Sequence, residues 1–88
     1  MTATEPHITG GLAAVLDLHS FHPSRQRPDT VWIRGRRASG RRLIAILEPD
    51  GAILLHRLRR TGPIIEQVPD AATRPSLVGP AIRRLLAR

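Results

Sequence analysis

Apolar and polar positions follow their most regular pattern in the middle of the chain. Residues 30–34, 42–47 and 52–58 are rich in isoleucine, leucine and other strand-forming residues, a composition typical of β-strands. A Pro-Asp-Gly segment at residues 49–51 separates the second run from the third, and these residue types suit the successive positions of a tight turn. The pattern predicts a three-stranded antiparallel meander whose last two strands form a hairpin with a three-residue turn.

The predicted hairpin has apolar side chains on both faces. If Glu48 lies opposite Ala52, strand alternation assigns each residue of the two strands to a face. One face then carries the pairs Leu47–Ile53, Ala45–Leu55 and Leu43–Arg57, and the other carries Ile46–Leu54, Ile44–His56 and Arg42–Leu58. A sheet with one face in water would alternate apolar and polar residues more strictly. We therefore expect a cover on each face, either flanking helices or a second subunit.

The apolar segment before the meander is compatible with two structures. Residues 12–18 would present one apolar face as a helix with Thr9 as its N-cap, or would form a short buried strand. The helix is the preferred interpretation. Residues 1–9 are expected to be a flexible lead-in with little to bury. Residues 22–29, with two prolines among mostly polar residues, are expected to form a loop.

The segments after the meander predict one more strand and a final helix. Residues 63–68 suit a short edge strand, and residues 80–88 suit a helix with Pro80 in its first turn, where the missing N–H is not needed. The predicted fold class is α+β: a single small domain over residues 10–88 with a three- to four-stranded antiparallel meander and a C-terminal helix. If residues 12–18 form a strand, a small five-stranded β-barrel is the alternative.

Composition limits the means by which this domain can be stabilised. The chain has 88 residues and no cysteine, which excludes a disulfide or a thiolate metal site. A chain of this size buries only about 60–65% of the surface that its unfolded form exposes, so its margin of stability is small. Dimerisation, or burial against a partner, is therefore expected more often than for a larger domain.

Positive charge is concentrated in the meander. The net charge is +7, and eight of the fourteen arginines fall between positions 34 and 60, where only Glu48 and Asp50 are acidic. The absence of lysine, asparagine and tyrosine is typical of a GC-rich genome, which explains arginine in place of lysine but not the excess of positive charge. Concentrated charge attracts anionic partners. The predicted nucleic-acid or anion-binding residues are Arg34, Arg36, Arg37, Arg41, Arg42, Arg57, Arg59 and Arg60.

Three classes of function are compatible with this charge. Backbone contact to duplex DNA or structured RNA is the leading hypothesis, because the two aromatic residues, Phe21 and Trp32, are too few for a base-stacking mechanism. The alternative is a protein-interaction module or homo-oligomer whose basic face meets an acidic protein partner. The third is a binder of a small anionic ligand such as a nucleotide.

The sequence contains no recognisable catalytic or metal-binding motif. His19 and His22 have the spacing of two metal ligands on a helix, but no cysteine, HExxH motif or pair of carboxylates accompanies them. His56 could act as a general base beside arginines, although a lone strand histidine is more often structural. The sequence therefore favours a non-catalytic protein with no cofactor and no metal.

The same sequence favours a cytoplasmic protein without a membrane partner. No apolar run approaches the roughly 18–20 residues that a membrane-spanning helix needs. Residues 1–7 carry Glu5 and no lysine or arginine, and Asp17 interrupts the apolar stretch that follows, which is unlike a signal peptide.

Overall fold

Five antiparallel strands and two helices make up the described part of the chain. The computed structural model describes residues 4–35 and 42–88, with side chains from residue 11 onward. In chain order the elements are α1 (Thr4–Leu18), β1 (Phe21–Pro23), β2 (Val31–Arg34), β3 (Leu43–Leu47), β4 (Ile53–Arg57), β5 (Ile64–Val68), a 3-10 turn (Pro75–Leu77) and α2 (Val78–Ala87).

The strands form one open sheet in the order β1-β2-β3-β4-β5, with every neighbouring pair antiparallel. The α+β prediction, with a meander and a C-terminal helix, is confirmed. The alternative five-stranded barrel is wrong, because β1 and β5 are the two edges of the sheet and residues 12–18 belong to a helix.

The register predicted for the central hairpin is also confirmed. Leu47 pairs with Ile53, and the pairing continues to Leu43 opposite Arg57. The turn is closed by hydrogen bonds from the Gly51 N–H to the Glu48 carbonyl at 2.9 Å and from the Glu48 N–H to the Ala52 carbonyl at 2.8 Å. Gly51 has a φ of 91°, a left-handed conformation that side chains disfavour, so the turn requires a glycine at this position.

The first strand differs from the sequence-based prediction. Residues 22–29 were expected to be a loop, but β1 takes Phe21–Pro23 and pairs with β2, with Phe21 opposite Arg34. Pro23 is tolerated because β1 is an edge strand, where a missing N–H need not break the ladder. The remaining loop is closed by Ser24, whose Oγ accepts hydrogen bonds from the N–H groups of Gln26 and Arg27.

The N-terminal helix is longer than the sequence indicates. A helix over residues 12–18 is confirmed, but α1 begins at Thr4. Thr9 therefore lies inside the helix and is not its N-cap, and the lead-in predicted at residues 1–9 contains the first turns of α1.

The C-terminal helix begins two residues earlier than predicted. It starts at Val78, and Pro80 lies in its first turn as expected. The 3-10 turn leads directly into α2, and no side chain caps the start of either helical segment. The turn therefore continues into the helix without the break that a separate N-cap would mark.

Both helices cover the same face of the sheet, here called the helix face. Alternate strand residues on this face join the inner sides of the helices in a core whose side chains are buried or nearly so. The members are Leu12, Leu16, Phe21, Trp32, Leu43, Ala45, Ile53, Leu55, Val68, Ala71, Val78, Ala81, Ile82 and Leu85. Trp32 is therefore a core residue, which fits its flanking β-branched neighbours.

The opposite side of the sheet, here called the open face, is apolar but has no helix on it. None of its side chains belongs to the buried core, and Ile65 is 49% exposed. By strand alternation it carries Val31, Ile33, Ile44, Ile46, Leu54 and Ile65, together with His22, His56 and Gln67. Among the described residues, the two helices cover the helix face, and the cover expected for the open face is not seen.

Candidate anion-binding surface

Five of the predicted arginines lie at one end of the sheet, which we call the basic end. β2 finishes at Arg34, β3 follows Arg42, and β4 finishes at Arg57, so antiparallel pairing brings these residues together. A hydrogen bond of 3.1 Å from the Leu58 N–H to the Arg42 carbonyl extends the ladder to this point. Arg59 and Arg60 follow directly. Arg36, Arg37 and Arg41 lie outside the described residues.

The acidic residues of the same segment lie at the other end. Glu48 and Asp50 belong to the turn between β3 and β4, about 17 Å from the basic end for strands of five residues at roughly 3.3 Å each. The Asp50 side chain accepts a hydrogen bond of 3.0 Å from the Ala52 N–H, which fixes it in the turn. The sheet is therefore electrically polarised along its strands.

Among the described residues, no carboxylate forms a salt bridge with an arginine of the basic end. Glu66 forms salt bridges to Arg84 at 3.1 Å and Arg88 at 3.0 Å, on α2 and at its end. Within the described ranges, these are the only salt bridges that the structure contains. Arg42, Arg59 and Arg60 are exposed, and Arg59 donates only to the neighbouring Gly62 carbonyl, at 3.3 Å.

Arg57 has a different environment from the other arginines. It lies on the helix face, and its Nη1 donates to three carbonyl groups at the end of α2. The acceptors are Leu85 and Leu86, each at 3.4 Å, and Arg88 at 2.7 Å. The Leu85 carbonyl also accepts a hydrogen bond of 3.3 Å from the Arg88 N–H. Arg57 adds a side-chain donor to the end of α2, where backbone carbonyls exceed the backbone donors available, and so serves as a side-chain cap. Its guanidinium is already engaged by the fold.

Arg34 is held in a partly buried position. It follows Trp32 on the helix face of β2 and lies between Phe21 and Leu43 in the sheet. Its Nε and Nη1 atoms are shielded from solvent and have no hydrogen-bond partner in the part of the chain that the structure describes. Buried donors of a charged group normally form hydrogen bonds. Nε and Nη1 of Arg34 therefore need a hydrogen-bond acceptor that the described residues do not provide.

His19 and Arg83 accompany Arg34 on the helix side. Burial lowers the pKa of His19, and the nearby guanidiniums of Arg34 and Arg83 lower this pKa further. The folded chain therefore binds fewer protons here than the unfolded chain, and protonation of His19 below its ordinary pKa of about 6.5 works against folding. The sequence could not indicate this cluster, because its members come from three separate elements.

The histidine pair considered as a metal site is divided between the two faces. His19 contacts the helix layer, while His22 follows Phe21 in β1 and lies on the open face. No group of three or more histidine, cysteine, aspartate or glutamate residues could hold a metal ion in the described regions. His56 also lies on the open face, opposite to its neighbour Arg57, and its Nε2 is buried without a described partner.

Comparison with known proteins adds no relative to this description. The chain matches no family model, and no curated protein or solved structure is similar to it. Neither described helix is long and apolar enough to cross a membrane.

Proposed function

We propose that this protein binds the phosphate backbone of duplex DNA or structured RNA through its basic end. The supporting observation is the polarised sheet, in which exposed Arg42, Arg59 and Arg60 lie at one end and the acids of the same hairpin lie at the other. Arg36, Arg37 and Arg41 fall between β2 and β3 in the sequence and add to the charge of this segment. A cluster of unpaired arginines attracts phosphates over the range of a Debye length.

The side chains that are exposed determine which part of a nucleic acid the protein can contact. Trp32 is buried in the core and Phe21 is buried beside it, so neither aromatic ring is available for stacking on bases. The exposed arginines offer charge and hydrogen-bond donors, which suit phosphate oxygens. We therefore expect contact with the nucleic-acid backbone and little preference for sequence.

A salt titration tests this proposal. With a short labelled duplex, affinity should fall with salt at a log–log slope of about −4 to −5, as about five phosphate contacts give. Replacing Arg42, Arg59 and Arg60 together by glutamine should flatten the slope by about 2 to 3. Fluorescence anisotropy at several salt concentrations measures both slopes.

A control variant removes charge from the opposite end of the sheet. Arg27 and Arg74 are exposed and lie in loops near the turn between β3 and β4. The double glutamine variant at these positions should keep the wild-type slope within about one unit. Equal losses in both variants, or no saturable binding at low salt, would contradict the proposal.

A second candidate function is favoured by the open face: we propose that this face pairs with a second copy of the chain. Its apolar centre has no described cover, and the buried Nε2 of His56 on this face has no described partner. Arg42 and Glu48 flank β3, and strand alternation places both on the side of the open face. In a two-fold pair with antiparallel β3 strands, Arg42 of each copy meets Glu48 of the other.

The size of the face limits the strength of such a dimer. The five strands have 3, 4, 5, 5 and 5 residues. With strands roughly 4.8 Å apart and residues roughly 3.3 Å apart, they cover about 350 Å². A pair would bury about 700 Å², which is below the 1,200–2,000 Å² of standard interfaces. We therefore expect a weak dimer that dissociates at micromolar concentrations.

Sedimentation equilibrium over a range of concentrations tests this pairing. Ile44→Gln on the open face should shift the protein towards monomer, because it buries an unpaired amide in the centre of the contact. The control is Leu18→Gln, which changes an exposed leucine on α1 away from this face. Arg42→Glu should weaken association, and Glu48→Arg in the same chain should restore it. A wild-type monomer at every concentration would contradict the pairing.

A further inference from the structure

A second group of basic side chains lies on the helix side of the sheet and shares only Arg34 with the basic end. We call His19, Arg34 and Arg83 the His19 cluster. His19 follows α1, Arg34 ends β2 on the helix face, and Arg83 belongs to α2. Three elements that are far apart in the sequence thus contribute one positive or titratable group each.

The geometry around Gly79 shows how closely two of these side chains approach. A Cβ atom placed on Gly79 would lie 3.2 Å from Nε2 of His19 and 3.8 Å from Nη1 of Arg83. Both nitrogens are therefore within 4 Å of the same point beside the first turn of α2. The positive charge of Arg34, the third member of the cluster, also lowers the pKa of His19.

The described structure offers this cluster no counter-charge. Neither Arg34 nor Arg83 takes part in a salt bridge among the described residues, and Nε and Nη1 of Arg34 are buried without an acceptor. The carbonyls of Val15, Leu16 and Asp17 near the end of α1 already accept hydrogen bonds from the His19 and Ser20 N–H groups. Two guanidiniums without a counter-charge repel each other, and an anion placed between them removes this repulsion.

We propose that the His19 cluster is a binding site for a phosphate dianion. Arg34 can donate two parallel hydrogen bonds from Nε and a terminal nitrogen to two phosphate oxygens. Arg83 supplies the second positive charge, and Nε2 of His19 supplies a hydrogen-bond donor when it carries a proton. Inorganic phosphate and the terminal group of a phosphomonoester share this chemistry. The site shares Arg34 with the basic end but uses none of the exposed residues Arg42, Arg59 and Arg60 that are proposed to bind the duplex.

Histidine NMR provides a direct readout. Inorganic phosphate, added at about pH 7.5, where the dianion is its main form, should shift the His19 ring signals in a saturable way. The same ionic strength of sodium chloride should not. The bound dianion also offsets the fields of Arg34 and Arg83, so the pKa of His19 should rise on binding. The His19→Gln variant assigns the signals.

Substitutions separate the site from general charge. Arg83→Gln should weaken phosphate binding by about tenfold or more, the effect of losing a hydrogen bond from a charged group. Arg84→Gln removes the same charge one residue further along α2, where Arg84 instead pairs with Glu66, and should leave the phosphate affinity within about twofold. Arg83 is exposed, so its substitution tests the site even if Arg34→Gln fails to fold.

Further arms of the experiment identify the source of the phosphate and distinguish this site from the basic end. Tighter binding of a nucleoside 5′-monophosphate than of inorganic phosphate would assign the site to phosphomonoesters, and equal affinity would assign it to the free ion. The Arg42, Arg59 and Arg60 triple variant should retain the His19 response even if it loses duplex binding. A His19 response that matches sodium chloride, or that survives Arg83→Gln unchanged, overturns the proposal.

Discussion

Leu55→Ala should lower the free energy of unfolding by about 3 kcal/mol, whereas Leu54→Ala should lower it by less than about 1 kcal/mol. The two residues are neighbours in β4 but lie on opposite faces of the sheet. Leu55 is 0% exposed within the core under the helices, so its loss leaves a cavity. Leu54 lies on the open face and is only partly buried.

Urea unfolding followed by fluorescence measures this difference. Trp32 is the only tryptophan, and it belongs to the same buried core as Leu55. An 88-residue domain has a total stability of about 4–13 kcal/mol, so the Leu55 variant should lose a large share of it. Its Tm should fall by about 12–24 °C.

The comparison also reports on the open face. At low protein concentration, where a weak dimer has dissociated, equal losses at both positions would show that the open face is covered as fully as the helix face. A loss at Leu54 that grows with protein concentration would instead indicate a covering second copy.

The hairpin could be predicted from the sequence because its determinants are local. The Pro-Asp-Gly segment fixes the turn, and once Glu48 is set opposite Ala52, strand alternation assigns every further pair up to Leu43 and Arg57. The apolar residues on both faces also indicated that each face needs a cover. These apolar residues could not indicate that both helices would pack on the same face.

The first strand could not be predicted because its stability is not local. Only three residues form β1, and one of them is Pro23. Its composition is that of a loop, and what makes it a strand is pairing with β2 and burial of Phe21 under α1. Tertiary contacts of this kind override local propensity.

The roles of individual arginines could not be predicted from the sequence either. Sequence position grouped Arg34 and Arg57 with the loop arginines, because all of them fall in one charged segment. Strand alternation places both on the helix face, where one lies beside His19 and the other reaches the end of α2. The partner of Glu66 depended in the same way on where α2 packs.

Arg57→Ala should lower the free energy of unfolding by about 2 kcal/mol, because hydrogen bonds from a charged group contribute about 1.5–3 kcal/mol. The variant removes the donor to the carbonyls of Leu85, Leu86 and Arg88 and leaves the end of α2 without its cap. It also removes a positive charge that stabilises a helix C-terminus. Urea unfolding measures the loss.

Arg59→Ala is the matched control, since Arg59 is exposed and its Nε donates to the carbonyl of nearby Gly62. Its cost should stay below about 0.5 kcal/mol. Arg57→Lys should recover only part of the loss, because an ammonium keeps the charge near the helix end but lacks the planar fork of a guanidinium. If Arg57→Ala costs no more than Arg59→Ala, then α2 does not depend on this cap. A flattened salt slope for duplex binding would then return Arg57 to the nucleic-acid surface, whereas a capping role leaves that slope unchanged.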